Sequence, residues 1–497
     1  MYAHANGLTN SRDGDTYYCE IPSDPCVIVM FGASGDLARR KLLPARFDLA
    51  RHFCLAPWFR LLGFARTKMS DDGSCQAADE FLPKGNEPGA DDAKRQDFFQ
   101  RLLYFSGDYD DPESYRRLDE LHREGQFGGN RLFYLATLPD VHMHIIEKLE
   151  QAGLARPKSK ESWTRVIIEK PFGHNQASAR ELNEIVLRLL DESQVYRIDH
   201  YLGTHTMQNL SVFRFGTRIF EPLWNRNYAD HVQITAAESL GVERRAAFYE
   251  PEGTLRDMIQ SHVLQLTSLI AMEAPATFDA TAVRNEKIKV LQSIRMFTPE
   301  MVWKSAVRAQ YGPEKVDGAN VYGYRPEPSM KPNSPTETFV ALKLSVDNWR
   351  CSEVPFYLRI GKRLPRPIPE VAIRFKRAPH RVFRGENVEA NSLVLDIQPD
   401  EGISLSFGAK APGAEMVIRP RKMDFQYLRS FGGESRSAYA TLINNCIRGD
   451  AILFDRADSV DAAWGLVDPI LEARQNASAP PFPNYSPGVK ARGLLVI

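Results

Sequence analysis

A short apolar segment that runs directly into a glycine-rich turn constrains the fold of this chain more than any other feature. Cys26–Phe31 is continuously apolar, as a buried parallel strand would be. It leads into Gly-Ala-Ser-Gly-Asp-Leu-Ala at 32–38 and then into a helical pattern through Leu49. Strand, glycine turn and helix start predict a site where backbone N–H groups receive the pyrophosphate of a dinucleotide.

The residues of this turn have separate predicted roles. Gly32 permits a tight turn, Gly35 lets the backbone approach the phosphates, and Ala38 stands where the common fingerprint has its third glycine. The spacing is G-x-x-G-x-x-A, so a glycine turn without a ligand stays open as an alternative. The candidate cofactor-binding residues here are Gly32, Ser34, Gly35, Asp36 and Leu37.

The end of the second predicted strand, at 60–67, indicates which dinucleotide would bind. An NAD-selective site usually has Asp or Glu near that point, to bind the ribose hydroxyls. This chain has Arg66, Thr67 and Lys68 instead, which suit a 2′-phosphate. The prediction is therefore NADP, with NAD as a weaker alternative. Solvated charges at a strand end are the other interpretation of the same residues.

Helical and strand-like patterns alternate in the first half of the chain. Helical patterns lie at 93–102, 112–124 and 139–152, and strand-like runs at 103–105, 132–136 and 166–168. Such alternation predicts a doubly wound parallel sheet. Residues 70–96 have no clear period and are predicted to be a surface excursion. We expect a polar N-terminal tail at 1–24 and a Rossmann-like domain at 25–200.

The second half has a different pattern, because several strands follow one another without helices between them. These strand-like runs lie at 230–238, 337–346, 355–360, 371–376, 392–398 and 402–407, with loops at 323–335 and 411–420. The pattern predicts a larger α+β domain at 201–497, built on a mainly antiparallel sheet.

Composition excludes several classes of function. Lys and Arg number 63 and Asp and Glu number 63, so no overall charge favours nucleic acid or an anionic membrane. No apolar run approaches membrane-spanning length, and residues 1–24 lack a secretory signal. The six cysteines have neither metal-site spacing nor a disulfide pattern, so we expect no metal, free thiols and a cytoplasmic location.

Polar side chains follow two of the predicted strands. Asp199, His200 and Tyr201 come directly after one strand, and Lys170 follows another at Glu-Lys-Pro-Phe-Gly. Because the carboxyl ends of parallel strands line the ligand crevice, these residues are candidates for a site. Polar strand ends that meet water are the alternative. The bond between Lys170 and Pro171 is a candidate cis peptide.

A histidine lies on the apolar face of a predicted helix at Thr254–Met272. His262 comes three residues after Ile259 and four after Met258, so it shares their stripe. A histidine in that position is commonly a core residue that bonds one carbonyl or carboxylate. Asp257 lies on the same helix and borders any cleft that His262 could reach.

Taken together, these motifs resemble those of the glucose-6-phosphate dehydrogenase family. Order and spacing hold across about 25–480. The motifs are G-A-S-G-D-L-A at 32–38, G-F-A-R at 63–66, E-K-P-F-G at 169–173, R-I-D-H-Y-L-G at 197–203, E-S-L-G-V-E at 238–243, R-D-M-I-Q-S-H at 256–262 and R-I-G-K-R-L at 359–364.

The resemblance implies an NADP-linked enzyme that oxidises glucose 6-phosphate to 6-phosphogluconolactone. His262 would be the general base toward the C1 hydroxyl, Asp199 its carboxylate partner, and Lys170 a bridge between substrate and nicotinamide. Glu238 and Asp257 would bind sugar hydroxyls, His200, Tyr201 and Lys362 would hold the 6-phosphate, and Arg66 would contribute to NADP binding. The resemblance also implies self-association as a dimer or tetramer.

The chain departs from the family pattern at two places in this site. The family continues H-Y-L-G-K-E, with a lysine that contacts the substrate phosphate, where this chain has Thr204 and His205. It also has Ser261 where the family usually has Asn. Loss of the lysine motivates two alternatives: an aldose dehydrogenase with a different sugar or phosphate preference, and a catalytically reduced nucleotide-binding paralogue.

Overall fold

The structure is a computed structural model that describes most of the chain. The described residues are 23–52, 54–56, 59–83, 90–124, 129–243, 246–316, 318–327, 330–380, 382–383, 388–397, 400–431, 437–473 and 482–488. The predicted tail at 1–24 therefore lies almost wholly outside them.

Strands and helices alternate through the first half of the chain. The strands are β1 (Val27–Phe31), β2 (Arg60–Ala65), β3 (Leu102–Ser106), β4 (Arg131–Leu135), β5 (Thr164–Ile168) and β6 (Val195–Ile198). The helices are α1 (Leu43–Arg51), preceded by a π-helical turn at Ala38–Leu42, α2 (Asp71–Asp79), α3 (Ala90–Gln100), α4 (Pro112–Glu124), α5 (His142–Gln151) and α6 (Gln176–Leu189).

Strands dominate the second half. They are β7 (Ala229–Ala237), β8 (Ala306–Ala309), β9 (Glu314–Val316), β10 (Ala319–Val321), β11 (Phe339–Ser345), β12 (Pro355–Gly361), β13 (Ile368–Phe375), β14 (Ser392–Asp396), β15 (Gly402–Lys410), β16 (Ile418–Gln426) and β17 (Phe454–Asp455). The helices are α7 (His205–Phe215), α8 (Ala246–Thr254), α9 (Leu264–Ala271), α10 (Ala280–Ser293), α11 (Pro299–Ser305), α12 (Tyr427–Phe431), α13 (Ala438–Arg448) and α14 (Ala457–Ala473).

Two large sheets carry the architecture, and they confirm the predicted fold class. The first has the order β17-β6-β5-β4-β1-β2-β3, in which β1 to β6 run parallel and β17 adds an antiparallel edge. The second has the order β16-β15-β14-β13-β7-β12-β11-β8. It is antiparallel except for the parallel pair β7 and β12.

Two local predictions need revision. Residues 70–96 were predicted to be a surface excursion, and α2 does lie mostly at the surface, but the stretch is helical in α2 and at the start of α3. Ser70 caps α2 by accepting a hydrogen bond from the backbone N–H of Gly73 at 3.1 Å, and such a capped helix needs no apolar stripe. The predicted loop at 411–420 ends early, at the start of β16. That edge strand is mostly exposed and so lacks the alternation that reveals a strand.

The helix predicted at Thr254–Met272 joins the two halves of the molecule. Leu255–Val263 is π-helical and continues without a break into α9. Its apolar residues belong to a core that also includes Phe31 of the first sheet and Ile234 of the second. No helix within the described ranges is long and apolar enough to cross a membrane.

Candidate active site

The carboxylate of Asp199 is fixed at the carboxyl end of strand β6. Asp199 is 1% exposed and directly follows the strand. Its Oδ1 accepts a hydrogen bond from the backbone N–H of Tyr201 at 3.0 Å, which ties the carboxylate to the short 3₁₀ turn that follows. A buried carboxylate is therefore held at the sheet edge where open α/β folds bind ligands.

His262 reaches this carboxylate from the π-helical segment. The imidazole is 1% exposed, and its Nδ1 is hydrogen-bonded to Oδ1 of Asp199. Because the carboxylate is an acceptor, Nδ1 carries the proton and Nε2 keeps a free lone pair. Single π-helical turns are frequent at functional sites, and this one presents Nε2 toward the first domain's sheet edge.

Lys170 meets Nε2 of His262 from the opposite side. The residue follows β5, and its peptide bond with Pro171 is cis. Its Nζ lies 2.6 Å from Nε2 of His262, 2.7 Å from the carbonyl oxygen of Asp257 and 3.1 Å from Oδ1 of Asp257. A ligand hydroxyl that bonds Nε2 must therefore take the place of one Lys170 N–H bond.

Burial favours the neutral form of His262, and the groups around Asp199 favour its ionised form. Burial and the charge of Lys170 lower the pKa of His262, while Asp199 acts in the opposite direction. Burial alone would raise the pKa of Asp199, but the neighbouring His262, His200 and Lys170 bring it well below its usual value. Such a neutral imidazole paired with a carboxylate can act as a general base.

Two rings of the same 3₁₀ turn flank His262. The ring of Tyr201 stacks on the imidazole with centroids 4.3 Å apart, and the ring of His200 meets its edge at 4.5 Å. Burial lowers the pKa of His200 well below its ordinary value, and the neighbouring His262 and Lys170 act in the same direction. A stacked Tyr439, from α13, lies 6.0 Å from His200. These rings form one wall of the site.

Glu238 and Lys362 come together because β7 and β12 run parallel. The two residues directly follow the paired strand ends Ala237 and Gly361. Nζ of Lys362 donates a hydrogen bond to Oε2 of Glu238 at 2.7 Å. Glu238 is also among the charges that act on Tyr201, so this pair lies near the ring wall.

Thr204 and Ser261, which both depart from the family pattern, bond to backbone carbonyls. The hydroxyl of Thr204 donates to the carbonyl oxygen of Tyr201 at 2.9 Å, and Thr204 is only 3% exposed. The hydroxyl of Ser261 donates to the carbonyl oxygen of Asp257 at 3.1 Å. Thr204 therefore supplies no cation to the site.

The glycine turn leaves space that a side chain would fill. Gly32 has φ of +82°, and a Cβ there would lie 2.6 Å from the carbonyl oxygen of Ala136. A helical stretch begins at Asp36, so its first N–H groups face the turn formed with Ser34 and Gly35. Asp36 is paired with Arg40, one turn further along the helix. This geometry fits the diphosphate of a dinucleotide.

Exposed cations lie beside this turn. Arg66, Thr67 and Lys68 are all exposed at the end of β2. The hydroxyl of Thr67 lies 3.0 Å from that of Ser34, and the guanidinium of Arg66 lies 5.6 Å from the ring centroid of Tyr109. A nucleotide held by the turn would therefore have its ribose end next to positive charge.

Two family models match nearly the whole chain. The NAD binding domain of glucose-6-phosphate dehydrogenase matches residues 29–209, and the C-terminal domain of the same enzyme matches residues 211–493. The chain belongs to the glucose-6-phosphate dehydrogenase family. This finding confirms the resemblance inferred from the motifs.

Relatives and solved structures agree with this assignment. Glucose-6-phosphate 1-dehydrogenase of Chlamydia pneumoniae is 43% identical over 475 residues, covering 93% of this chain and 92% of the relative. That of Aggregatibacter actinomycetemcomitans is 44% identical, covering 90% and 91%. A glucose-6-phosphate dehydrogenase solved with its substrate glucose 6-phosphate superposes with a TM-score of 0.86 at 34% identity, covering 94% of this chain and 95% of the other.

The structure places the site residues that the motifs singled out in three sets of contacts. His262, Asp199, Lys170, Asp257 and the two rings form one set, and Glu238 with Lys362 forms another. In the third, Arg66 lies over Tyr109, whose hydroxyl bonds the glycine turn. Sequence reasoning missed the partners supplied from elsewhere. Tyr439 carries no motif, and Tyr109, whose hydroxyl accepts from the N–H of Gly32 at 3.0 Å, follows β3 in an acidic loop.

Proposed function

We propose that this enzyme oxidises glucose 6-phosphate at C1 and reduces NADP, giving 6-phosphogluconolactone and NADPH, the first step of the oxidative pentose phosphate pathway. The observation that carries the proposal is the buried pair of His262 and Asp199 with Lys170 at Nε2, in a chain of this family. A neutral imidazole next to an ionised carboxylate is the arrangement that proton removal from a sugar hydroxyl requires.

His262 is the proposed general base. The C1 hydroxyl of the sugar would replace the Lys170 N–H bond at Nε2 and donate its proton to that nitrogen. The resulting imidazolium is stabilised by Asp199, which already bonds Nδ1. Lys170 remains anchored by the carbonyl oxygen and Oδ1 of Asp257, so its ammonium stays beside the reacting oxygen. We assign these three residues as catalytic.

The substrate would lie between the ring wall and the second sheet. Asp257 and Glu238 offer carboxylate acceptors to sugar hydroxyls, and unmade bonds of this kind discriminate strongly between sugars. Lys362, which lies within hydrogen-bonding distance of Glu238, is the cation offered to the 6-phosphate. His200 and Tyr201 complete the phosphate subsite from the 3₁₀ turn.

The cofactor would occupy the glycine turn. Gly32, Ser34, Gly35, Asp36 and Leu37 provide the backbone around the pyrophosphate, and Arg66 offers its guanidinium to the 2′-phosphate. When bound, NADP accepts the hydride from C1. We expect Arg66→Ala to raise KM for NADP about tenfold or more while KM for NAD changes little. Equal losses with both cofactors would contradict the preference for NADP.

Initial rates of NADP reduction test the proposal. Glucose 6-phosphate is varied to tens of millimolar beside free glucose, with His262→Asn as the matched inactive control. We expect saturation with glucose 6-phosphate and a loss of roughly 10²- to 10⁴-fold in kcat for the variant. No NADPH from glucose 6-phosphate would refute the proposal, and a higher kcat/KM for free glucose would favour an aldose dehydrogenase. Family membership and the retained His262–Asp199 pair argue against both alternatives raised by Thr204.

We also infer self-association through the exposed face of β16 and α12. Met423, Leu428 and Phe431 expose 59%, 67% and 48% of their surface there, beside Arg421 and Lys422. Size-exclusion chromatography with light scattering checks this inference, and Met423→Glu should shift the protein toward monomer. The described cysteines form no disulfide and most are buried, which supports the cytoplasmic location that we propose.

A further inference from the structure

A buried charge pair lies on the β17 side of strand β6, and Lys170 follows β5 on the other side of that strand. Lys287 of α10 is 2% exposed and Asp455 of β17 is 4% exposed. Nζ of Lys287 lies 3.7 Å from Oδ1 of Asp455. Burying two charges is costly and adds little to stability by itself, so the pair calls for another explanation.

The topology of the first sheet brings this pair to the catalytic strand. β17 adds to the edge of the sheet beside β6, with Phe454 opposite Ile198 and Asp455 opposite Arg197. Asp199 directly follows Ile198 on the same strand. The two carboxylates therefore lie on neighbouring strands at the same end of the sheet.

Two buried carboxylate oxygens in this region lack a hydrogen-bond partner among the described residues. They are Oδ2 of Asp199 and Oδ1 of Asp455. The Oδ1 of Asp199 is already used by His262 and by the N–H of Tyr201. Buried carboxylates of this kind are stabilised by a nearby cation. Lys287 lies 3.7 Å from Oδ1 of Asp455, and Asp199 is among the charges that act on it.

Other charged groups also face these residues. His262, His200 and Lys170 act on Asp199 from the ligand side. Glu169 is one further carboxylate that interacts with Asp199, and Asp257 acts on His262.

A second set of charged groups acts from the β17 side of β6. Asp455 interacts with Lys287, Asp199, Arg197 and Arg284. Lys287 interacts with Asp455, Asp199 and Arg284. The guanidinium of Arg197 bonds Oε1 of Glu192 at 2.7 Å, so it is already paired with another carboxylate. Within the described residues, Lys287 forms an ion pair with Asp455 alone.

We propose that Lys287 is a positioning residue of the catalytic pair: its buried ammonium, anchored by Asp455, acts on Asp199 and thereby limits how strongly His262 binds a proton. A cation behind the carboxylate offsets part of the negative charge that stabilises imidazolium. Nε2 of His262 therefore stays unprotonated at a lower pH than it would if Asp199 were the only charge beside it. The proposal rests on the proposed function.

The pH dependence of kcat/KM tests the direction in which Lys287 shifts the protonation of His262. kcat/KM for glucose 6-phosphate depends on neutral His262, so its acidic limb reports the pKa of that residue in the free enzyme. Removing the ammonium in Lys287→Met should raise this pKa and move the limb upward by about 0.5–1 pH unit. Lys287→Gln, a neutral residue that can bond Asp455, should give the same shift, and it serves if the Met variant does not fold.

Two matched variants separate charge from packing. Lys287→Arg keeps the charge and should keep the limb close to that of the wild type. Lys289→Met removes an exposed lysine of the same helix, which is paired with Glu286, and should have no effect. Because Lys287 would not touch the sugar, KM for glucose 6-phosphate at the pH plateau should stay within about twofold in all variants.

The outcomes distinguish this proposal from the proposed function. If the wild-type enzyme shows no turnover, both the proposed function and the role of Lys287 are refuted. An active wild type whose neutral variants keep the same limb overturns only the role of Lys287. The role is also overturned if Lys287→Arg shifts the limb as far as the neutral variants, because the effect would then come from packing.

Discussion

Thr204 is the residue at which this chain differs most consequentially from its family. Its hydroxyl bonds a carbonyl of its own turn, so the phosphate subsite that we propose depends on Lys362 for positive charge. A missing charge-assisted contact costs on the order of 1.5–3 kcal/mol, which is small against the whole catalytic effect. The substitution should therefore weaken binding of the sugar phosphate and leave the chemistry intact.

Restoring the lysine tests this interpretation. In Thr204→Lys we expect KM for glucose 6-phosphate to fall by roughly 10- to 150-fold with little change in kcat, because the new cation binds the phosphate equally before and during the reaction. Thr204→Val, which removes the hydroxyl without adding charge, is the control for the lost turn bond. An unchanged KM in the lysine variant would mean that phosphate is held elsewhere.

The His262–Asp199 pair makes a prediction about pH. Burial lowers the pKa of His262 below 6.5, and the charge of Lys170 lowers it further, so activity should persist below the ordinary titration range of histidine. In Asp199→Asn the opposing charge is lost. The acidic limb should then move to still lower pH, and kcat should drop by at least about 10²-fold. Profiles of kcat and of kcat/KM between pH 4 and 8 measure the drop in kcat and the shift of the acidic limb. Asp347→Asn, at an exposed ion pair, is the control.

At the scale of elements, the glycine turn after β1 shows why a local motif could be predicted. Gly32 combines a left-handed φ with a carbonyl oxygen where its Cβ would stand. Only glycine meets both conditions, so the glycine at this position indicates the geometry of the turn. By contrast, α2 is marked by a cap and β16 by exposed cations, and neither has the apolar period on which the predictions relied.

A pair of glycine variants measures that constraint. Gly153 also has a positive φ, +69°, but nothing lies within 4 Å of its ideal Cβ. Gly153→Ala should therefore cost only the left-handed strain of about 1–2 kcal/mol. Gly32→Ala adds the collision with Ala136 and should cost more, while also weakening nucleotide binding. Chemical denaturation and nucleotide titration measure the two effects, and equal costs would contradict the steric argument.

For the whole molecule, the least predictable contacts are those that close the first sheet from the far end of the chain. β17 has only two residues, too few for any period, and its partner β6 lies in the other half of the sequence. The same holds for Tyr439, Lys287 and Asp455, whose places at the site follow from packing. Motifs predicted the residues at the strand ends but could not predict what supports them from behind.

This closure predicts that one substitution near the end of the chain weakens the nucleotide-binding half. The ring of Phe454 is fully buried and meets that of Tyr196 edge-on at 4.8 Å. Phe454→Ala should lower the free energy of unfolding by about 3–5 kcal/mol. Leu138→Ala, at a side chain that is 70% exposed, should change it by less than about 0.5 kcal/mol. A small loss at Phe454 would show that β17 is dispensable.

The late arrival of β17 and α13 also has a consequence for biosynthesis. Ribosomes release the chain in order, so β6 and Asp199 emerge long before the strand that covers them and before Tyr439. Until then the first sheet has an open edge, and Tyr196 and Ile198 lack the apolar residues of α13 that share their core. A nascent chain that has not reached α13 and β17 therefore lacks Tyr439 beside His200, and full activity requires that translation has passed both elements.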